Sequence, residues 1–198
     1  MFLDIYALAK KVFDFSKEEL WTLFLTSAFP IHVWTIILVL RDFSWVSERT
    51  DSWDAVGVGA YGLLIAFVDS LFVFVIAILM SALIRDPWKK GRKIVLLFTL
   101  VTVVSIWAMI NQLYFLSGLS IPESVFQFLT KQAHPLRVIY ILVLGVVAPT
   151  VLLPIYFVIK SDKFTNGLQG VMDRISLLMM FYLVLDVGGL IIVIIRNL

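Results

Sequence analysis

Three side chains able to carry a proton lie inside long apolar stretches of this chain: His32, Asp69 and Asp186. A histidine and two carboxylates held together away from bulk water could pass a proton or hold a cation. They could equally bind one another and lock the segments that carry them into register. Asp69 gives the sharpest signal, because it is the only charged residue in positions 55–84, AVGVGAYGLLIAFVDSLFVFVIAILMSALI. A charge in such a setting is costly unless it is partnered or hydrated.

The elements that must position these groups follow from the apolar runs. Residues 55–84 are long and apolar enough for a transmembrane helix. The whole chain agrees: 198 residues, 61% hydrophobic and 15% charged, with a mean hydropathy of +1.01. A soluble domain of that composition would expose too much apolar surface to stay dissolved. The expected fold is an all-α integral membrane protein, a single polytopic domain over 1–198. Its five transmembrane helices are expected at about 20–40, 56–84, 94–117, 138–159 and 175–195. The absence of cysteine excludes disulfides and thiolate metal sites.

Flanking elements can also be read. Within residues 1–15, Phe2, Ile5, Tyr6, Ala9, Val12 and Phe13 fall on one face of an N-terminal amphipathic helix suited to the headgroup plane. The acidic residues Asp4, Asp14, Glu18 and Glu19 among its lysines, and the lack of a small-residue cleavage site, argue against a cleavable signal peptide. Ser16 and Glu19 have the spacing of a capping box that starts the first span. Ser120 and Glu123 repeat that spacing before VFQFLTK, which predicts a short external helix over 121–131. Residues 41–54 and 160–174 read as loops. No internal repeat is visible among the five runs.

The cations set an expected orientation. Eleven Lys and Arg fall on the side of the N-terminus, the 85–93 loop and the 160–174 loop, against five on the other (Arg41, Arg49, Lys131, Arg137 and Arg196). Positive charge stays inside, which predicts a plasma-membrane protein with a cytoplasmic N-terminus and an external C-terminus. Arg85, Lys89, Lys90, Arg92 and Lys93, together with Trp88, form a basic patch suited to anionic lipid headgroups.

At about 1.5 Å per residue, His32 lies roughly 19 Å, Asp69 roughly 22 Å and Asp186 roughly 17 Å from the inner ends of their helices. The three therefore share a level and could form one intramembrane polar cluster. Gly62, Ala66 and Ser70 make a small-residue stripe beside Asp69, so Asp69 is expected to face the bundle. Gly188 and Gly189 would allow close packing near Asp186. As a relay, the cluster would serve proton or cation transfer. As a hydrogen-bonded clasp it would fix helix register, and the sparse Ser, Thr, Asn and Gln of the spans favour the clasp. Pro149 and Pro154 free the carbonyls of Gly145 and Thr150 and mark a candidate helix hinge. Asn111 and Gln112 are placed to bond across helices.

Enzyme signatures are missing. His32 and His134 are the only histidines, which leaves no multi-histidine metal centre. No Gly-rich phosphate loop, HExxH or GxSxG occurs. Asp69 in FVDSL and Asp186 in LDVGG lack the GxGD pattern of intramembrane aspartyl proteases. No catalytic residue, cofactor, metal or nucleic-acid partner is expected. The layout of five spans, N-terminus inside and C-terminus outside, is similar to the membrane portion of lipoteichoic-acid-synthase-like and sulfatase-like membrane enzymes. That likeness covers topology and no motif. In those enzymes the catalytic domain follows the fifth span, so the resemblance implies a membrane part without the chemistry.

The function expected from these features is that of a non-enzymatic integral membrane subunit or scaffold of a larger membrane assembly, with the bilayer and either protein partners or further copies of the chain around it. The alternative is a small proton- or cation-coupled transporter or channel that uses the midplane carboxylates. A lipid-modifying enzyme ranks third.

Overall fold

The structure is a computed structural model that describes residues 15–84, 90–118 and 122–198. These residues form six α-helices and, among them, no strand: α1 (Lys17–Arg49), α2 (Ser52–Ser81), α3 (Lys90–Leu116), α4 (Glu123–Thr130), α5 (Pro135–Lys160) and α6 (Asp162–Asn197). All but α4 are long and apolar enough to cross a membrane. The expected N-terminal amphipathic helix falls on residues outside those described.

The start of α1 follows the expected chemistry. The Ser16 hydroxyl accepts from the Glu19 backbone N–H at 3.1 Å, and the Ser16 N–H donates to the Glu19 carboxylate at 2.7 Å. Two orphan donors of the first turn are thereby satisfied.

Residues 41–54 do not form the expected loop. α1 continues to Arg49 and α2 begins at Ser52. α1 runs on through polar residues, where Arg41 pairs with Asp42 at 2.7 Å and Arg49 donates to the Trp45 carbonyl at 3.3 Å. The turn is then closed by Asp51, whose carboxylate accepts from the Asp54 N–H at 2.7 Å and caps α2. Residues 160–174 are not a loop either. Ser161 alone joins α5 to α6, with its N–H bonded to the Phe157 carbonyl at 2.9 Å and its hydroxyl accepting from the Phe164 N–H at 3.2 Å. α6 has 36 residues, about 54 Å at 1.5 Å per residue, well beyond a hydrocarbon core of about 30 Å.

The short helix α4 forms where it was expected, but without the capping box. Its N-cap is Pro122, which makes no side-chain bond, and the Glu123 carboxylate instead accepts from Gln127 at 2.9 Å. Ser120 lies outside the described residues.

The bundle is built around α1, α2 and α6, with the most extensive contact between α1 and α2. α3 packs on α1, and α5 packs on α3. The eight buried residues of α2 are all Gly, Ala or Ser: Ala55, Gly57, Gly59, Ala60, Ala66, Ser70, Ala77 and Ser81. Small side chains let backbones approach, and in lipid that close van der Waals packing replaces the hydrophobic drive available in water. Gly189 of α6 is one such approach, because a Cβ there would meet the Ala60 carbonyl oxygen at 3.3 Å and its Cα at 3.6 Å. Gly188 faces open space. By contrast, α5 buries a single residue, Val158.

Larger apolar side chains fill the half of the bundle where α1 begins. Phe24, Leu25 and Ala28 of α1 pack with Met179 of α6. Phe24 meets Phe67 and Phe74 edge-on, at centroid distances of 6.3 and 5.7 Å, and Phe29 stacks on Tyr182 at 6.0 Å. This aromatic layer sits directly below the level of His32, one turn further along α1.

Candidate functional site: a buried clasp and an outward carboxylate

His32 is fully buried. Its Nδ1 lies 3.0 Å from the Ala28 carbonyl oxygen, one turn earlier on α1. A carbonyl can only accept, so Nδ1 carries a proton. Its Nε2 lies 2.9 Å from Oδ2 and 3.2 Å from Oδ1 of Asp186 on α6. One further proton lies between the imidazole and the carboxylate. Assigned to nitrogen it gives an ion pair, and assigned to oxygen it gives two neutral groups; the net charge is zero either way. A pair closed in this manner suits a low-dielectric interior, where an uncompensated charge is costly.

The third wall of this site is Ser70 of α2. Its hydroxyl is fully buried, donates to the Ala66 carbonyl at 2.6 Å and sits 3.5 Å from His32 Nδ1. Ala66 and Ser70 are the small residues that let α2 come close enough. Gly62, the next in the stripe, faces Thr35 and Val39 of α1 at 3.5 Å. The clasp thus joins the three central helices at one level. The sequence marked Ser70 as part of the small-residue stripe and not as a member of the polar cluster.

Asp69 is not part of the cluster. The expectation that it faces the bundle is not met: Asp69 is exposed, and the structure gives it no hydrogen bond or ion pair with the described residues. Adjacent helical residues diverge by about 100°, so Ser70 turning inward carries Asp69 away. It lines up instead with Ile65, Phe72 and Ile76, which are 62%, 65% and 55% exposed. The three best-formed surface pockets among the described residues are not lined by His32, Asp69 or Asp186.

The other sequence candidates are placed as follows. α5 remains one helix through Pro149 and Pro154. Thr150 donates to the Val147 carbonyl at 2.7 Å and accepts from the Trp107 indole at 2.9 Å, tying α5 to α3. Gln112 accepts from the Trp34 indole and ties α3 to α1. In the basic patch, Arg85 and Lys89 lie outside the described residues and Lys90 opens α3. Arg92 is engaged within the chain, with the Ile159 carbonyl at 3.0 Å and with Asp162. Lys93 lies 5.0 Å from the Phe15 ring centroid.

One latch was missed from the sequence. Arg196, at the end of α6, donates to the Trp53 carbonyl and to the Asp54 carboxylate, both at 2.6 Å. Its guanidinium lies directly over Gly57. The pairing of a C-terminal arginine with an aspartate in the first turn of α2 also suits both helix dipoles.

Fold and site together define an all-α membrane protein with a neutral polar clasp at its centre. Comparison of the chain with models of protein families, with curated proteins and with solved structures finds no match.

Proposed function

We propose that this chain is a non-enzymatic subunit or scaffold of a larger assembly in the membrane. The observation that carries the reading is the contrast between its two intramembrane carboxylates. Asp186 is turned inward and closed on His32, whereas Asp69 is turned outward, half-way along a helix whose exposed face is otherwise apolar. An aspartate at the centre of a spanning helix costs about 3 kcal/mol on insertion scales. A chain that carries this cost on its outer face is incomplete by itself, and a neighbouring protein in the membrane supplies what is missing.

The clasp supports the same reading. A relay needs groups that exchange partners or reach water, and the bonds of His32 are closed within the chain. The distribution of Lys and Arg supports a plasma-membrane orientation with the N-terminus inside.

The test is to extract the protein from its native membrane in mild detergent and weigh the intact particle by native mass spectrometry. A stoichiometric mass from another polypeptide is expected. A bare monomer, together with proton flux in liposomes that Asp186→Asn abolishes, would overturn the proposal in favour of a small transporter.

A further inference from the structure

The exposed face of α2 has a regular geometry. Val58, Gly62, Ile65, Asp69, Phe72 and Ile76 recur at alternating steps of four and three. That is the period of a seam between two helices crossing at about 20°, the prevalent geometry of membrane bundles. All are exposed except Gly62, which is half-buried. From Val58 to Ile76 the seam runs about 27 Å, close to the whole hydrocarbon thickness, with Asp69 near its middle. Towards the α1–α2 turn it deepens into a groove of about 250 Å³, floored by Gly59 and Gly62 and walled by Val39 and Phe43 of α1.

A seam of this period with one polar residue at its middle specifies the level of whatever docks there. The residue is an acid, so the complementary group is a cation at the same depth. This chain cannot supply one from a second copy. Its sixteen Lys and Arg all lie outside the five apolar runs, and the one histidine at that level is already bound to Asp186. A symmetric pair of copies meeting on this seam would set Asp69 against Asp69, like against like. We infer that the α2 seam receives a transmembrane helix of a different polypeptide that carries a Lys or Arg at mid-membrane, paired with Asp69. This inference rests on the subunit reading above and names the chemistry of the partner.

The test uses the full chain and a synthetic probe. The chain has no cysteine, so Leu198→Cys at its exposed end provides one site for a donor dye. The protein is reconstituted in phosphatidylcholine vesicles with an acceptor-labelled Leu–Ala transmembrane peptide bearing a single central Arg. Energy transfer is expected to report association roughly tenfold tighter than with a central-Leu peptide. Asp69→Asn is expected to reduce binding to the central-Leu level. Asp69→Lys is expected to lose the Arg peptide and gain a central-Glu peptide, which separates charge pairing from misfolding. Equal transfer from Arg and Leu peptides would overturn the inference. So would transfer between two differently labelled copies of the chain that Asp69→Asn abolishes, because the seam would then belong to a second copy. A partner seen by native mass spectrometry, with no preference for the Arg peptide, would leave the subunit reading standing and remove this one.

Discussion

His32 Nε2 lies 2.9 Å from Oδ2 of Asp186, across 154 positions of sequence. The bond joins the middle of α1 to α6, and Ser70 of α2 closes the remaining side at 3.5 Å. That polar contact therefore sets the relative height of α1 and α6, with Ser70 packing α2 beside it. Sliding α1 or α6 by one residue, about 1.5 Å, would break it. Apolar packing against lipid-like side chains cannot specify height so sharply, because one turn of Leu and Val resembles the next.

The clasp is expected to contribute measurably to stability. Asp186→Ala leaves Nε2 of His32 without a hydrogen-bond partner in a buried site, which costs about 1–3 kcal/mol. Asp186→Asn keeps an amide facing Nε2 that can accept from it or donate to it, and should cost about half as much. A cycle with His32→Ala should give a coupling of about 1–2 kcal/mol, the upper part of the range for interhelical bonds in membranes. Equilibrium unfolding in mixed micelles measures all three. Equal losses for Asp186→Ala and Asp186→Asn would show that hydrogen bonding to His32 is not what the residue supplies.

The neighbouring glycines make an internal control. A Cβ at Gly189 meets the backbone of Ala60, its carbonyl oxygen at 3.3 Å and its Cα at 3.6 Å, and backbone on a packed helix cannot swing aside. Gly189→Ala should therefore push α6 off α2 and lower stability by about 1 kcal/mol, and Gly189→Leu by considerably more. Gly188 has nothing within 4 Å, so Gly188→Ala should be neutral or stabilising by up to about 1 kcal/mol through helix propensity. Melting temperatures of the variants in one detergent decide the point; a matching fall for both would contradict the packing account.

Much of this architecture was legible in the residues, for identifiable reasons. Hydropathy reports what meets lipid, so the five spans stood out, and equal depth along them brought His32 and Asp186 to one level. Hydropathy does not report where a helix stops. The backbone bonds of α1 continue through the polar residues 41–49, and those of α6 start at Asp162, because helix ends are set by caps. The capping side chains, Asp51 and Ser161, sit in stretches that look like ordinary polar linkers. The outward turn of Asp69 was illegible for a different reason. Adjacency to a small-residue stripe places a side chain within about 100° of the interface, and which side of that limit it takes depends on the helices packed against it.

The latch at the other end of the bundle should behave as a modest, surface-like interaction. Arg196 and Asp54 have side chains 21% and 40% exposed, so screening by solvent holds their pairing to about 0.5–1 kcal/mol. Arg196→Gln should lose about that much, and less at high salt. Gly57→Ala tests the same contact from beneath. Its Cβ would come within 2.6 Å of the guanidinium carbon, the far end of a flexible side chain, which can move away only by abandoning Trp53 and Asp54. The double variant should then be no less stable than either single one. Fully additive losses would mean that Gly57 contributes something other than room for Arg196.

The two carboxylates should separate cleanly in the isolated protein. Asp186 bonds α6 to α1 and its loss should lower stability, whereas Asp69 makes no hydrogen bond or ion pair with the described residues. In a detergent micelle that lets water reach the α2 face, Asp69→Asn should leave the unfolding free energy within about 0.5 kcal/mol of the parent. Asp69→Leu should match it or stabilise slightly, because it removes a charge from an apolar surface. In the native assembly the order reverses: a residue that pairs with a partner helix matters most when that helix is present. Size-exclusion profiles of membrane extracts should then show the Asp69→Asn protein migrating as a smaller particle, while its thermal transition as a purified chain is unchanged. A fall in the stability of the purified chain, with the particle size intact, would place the role of Asp69 inside the bundle and not at its surface.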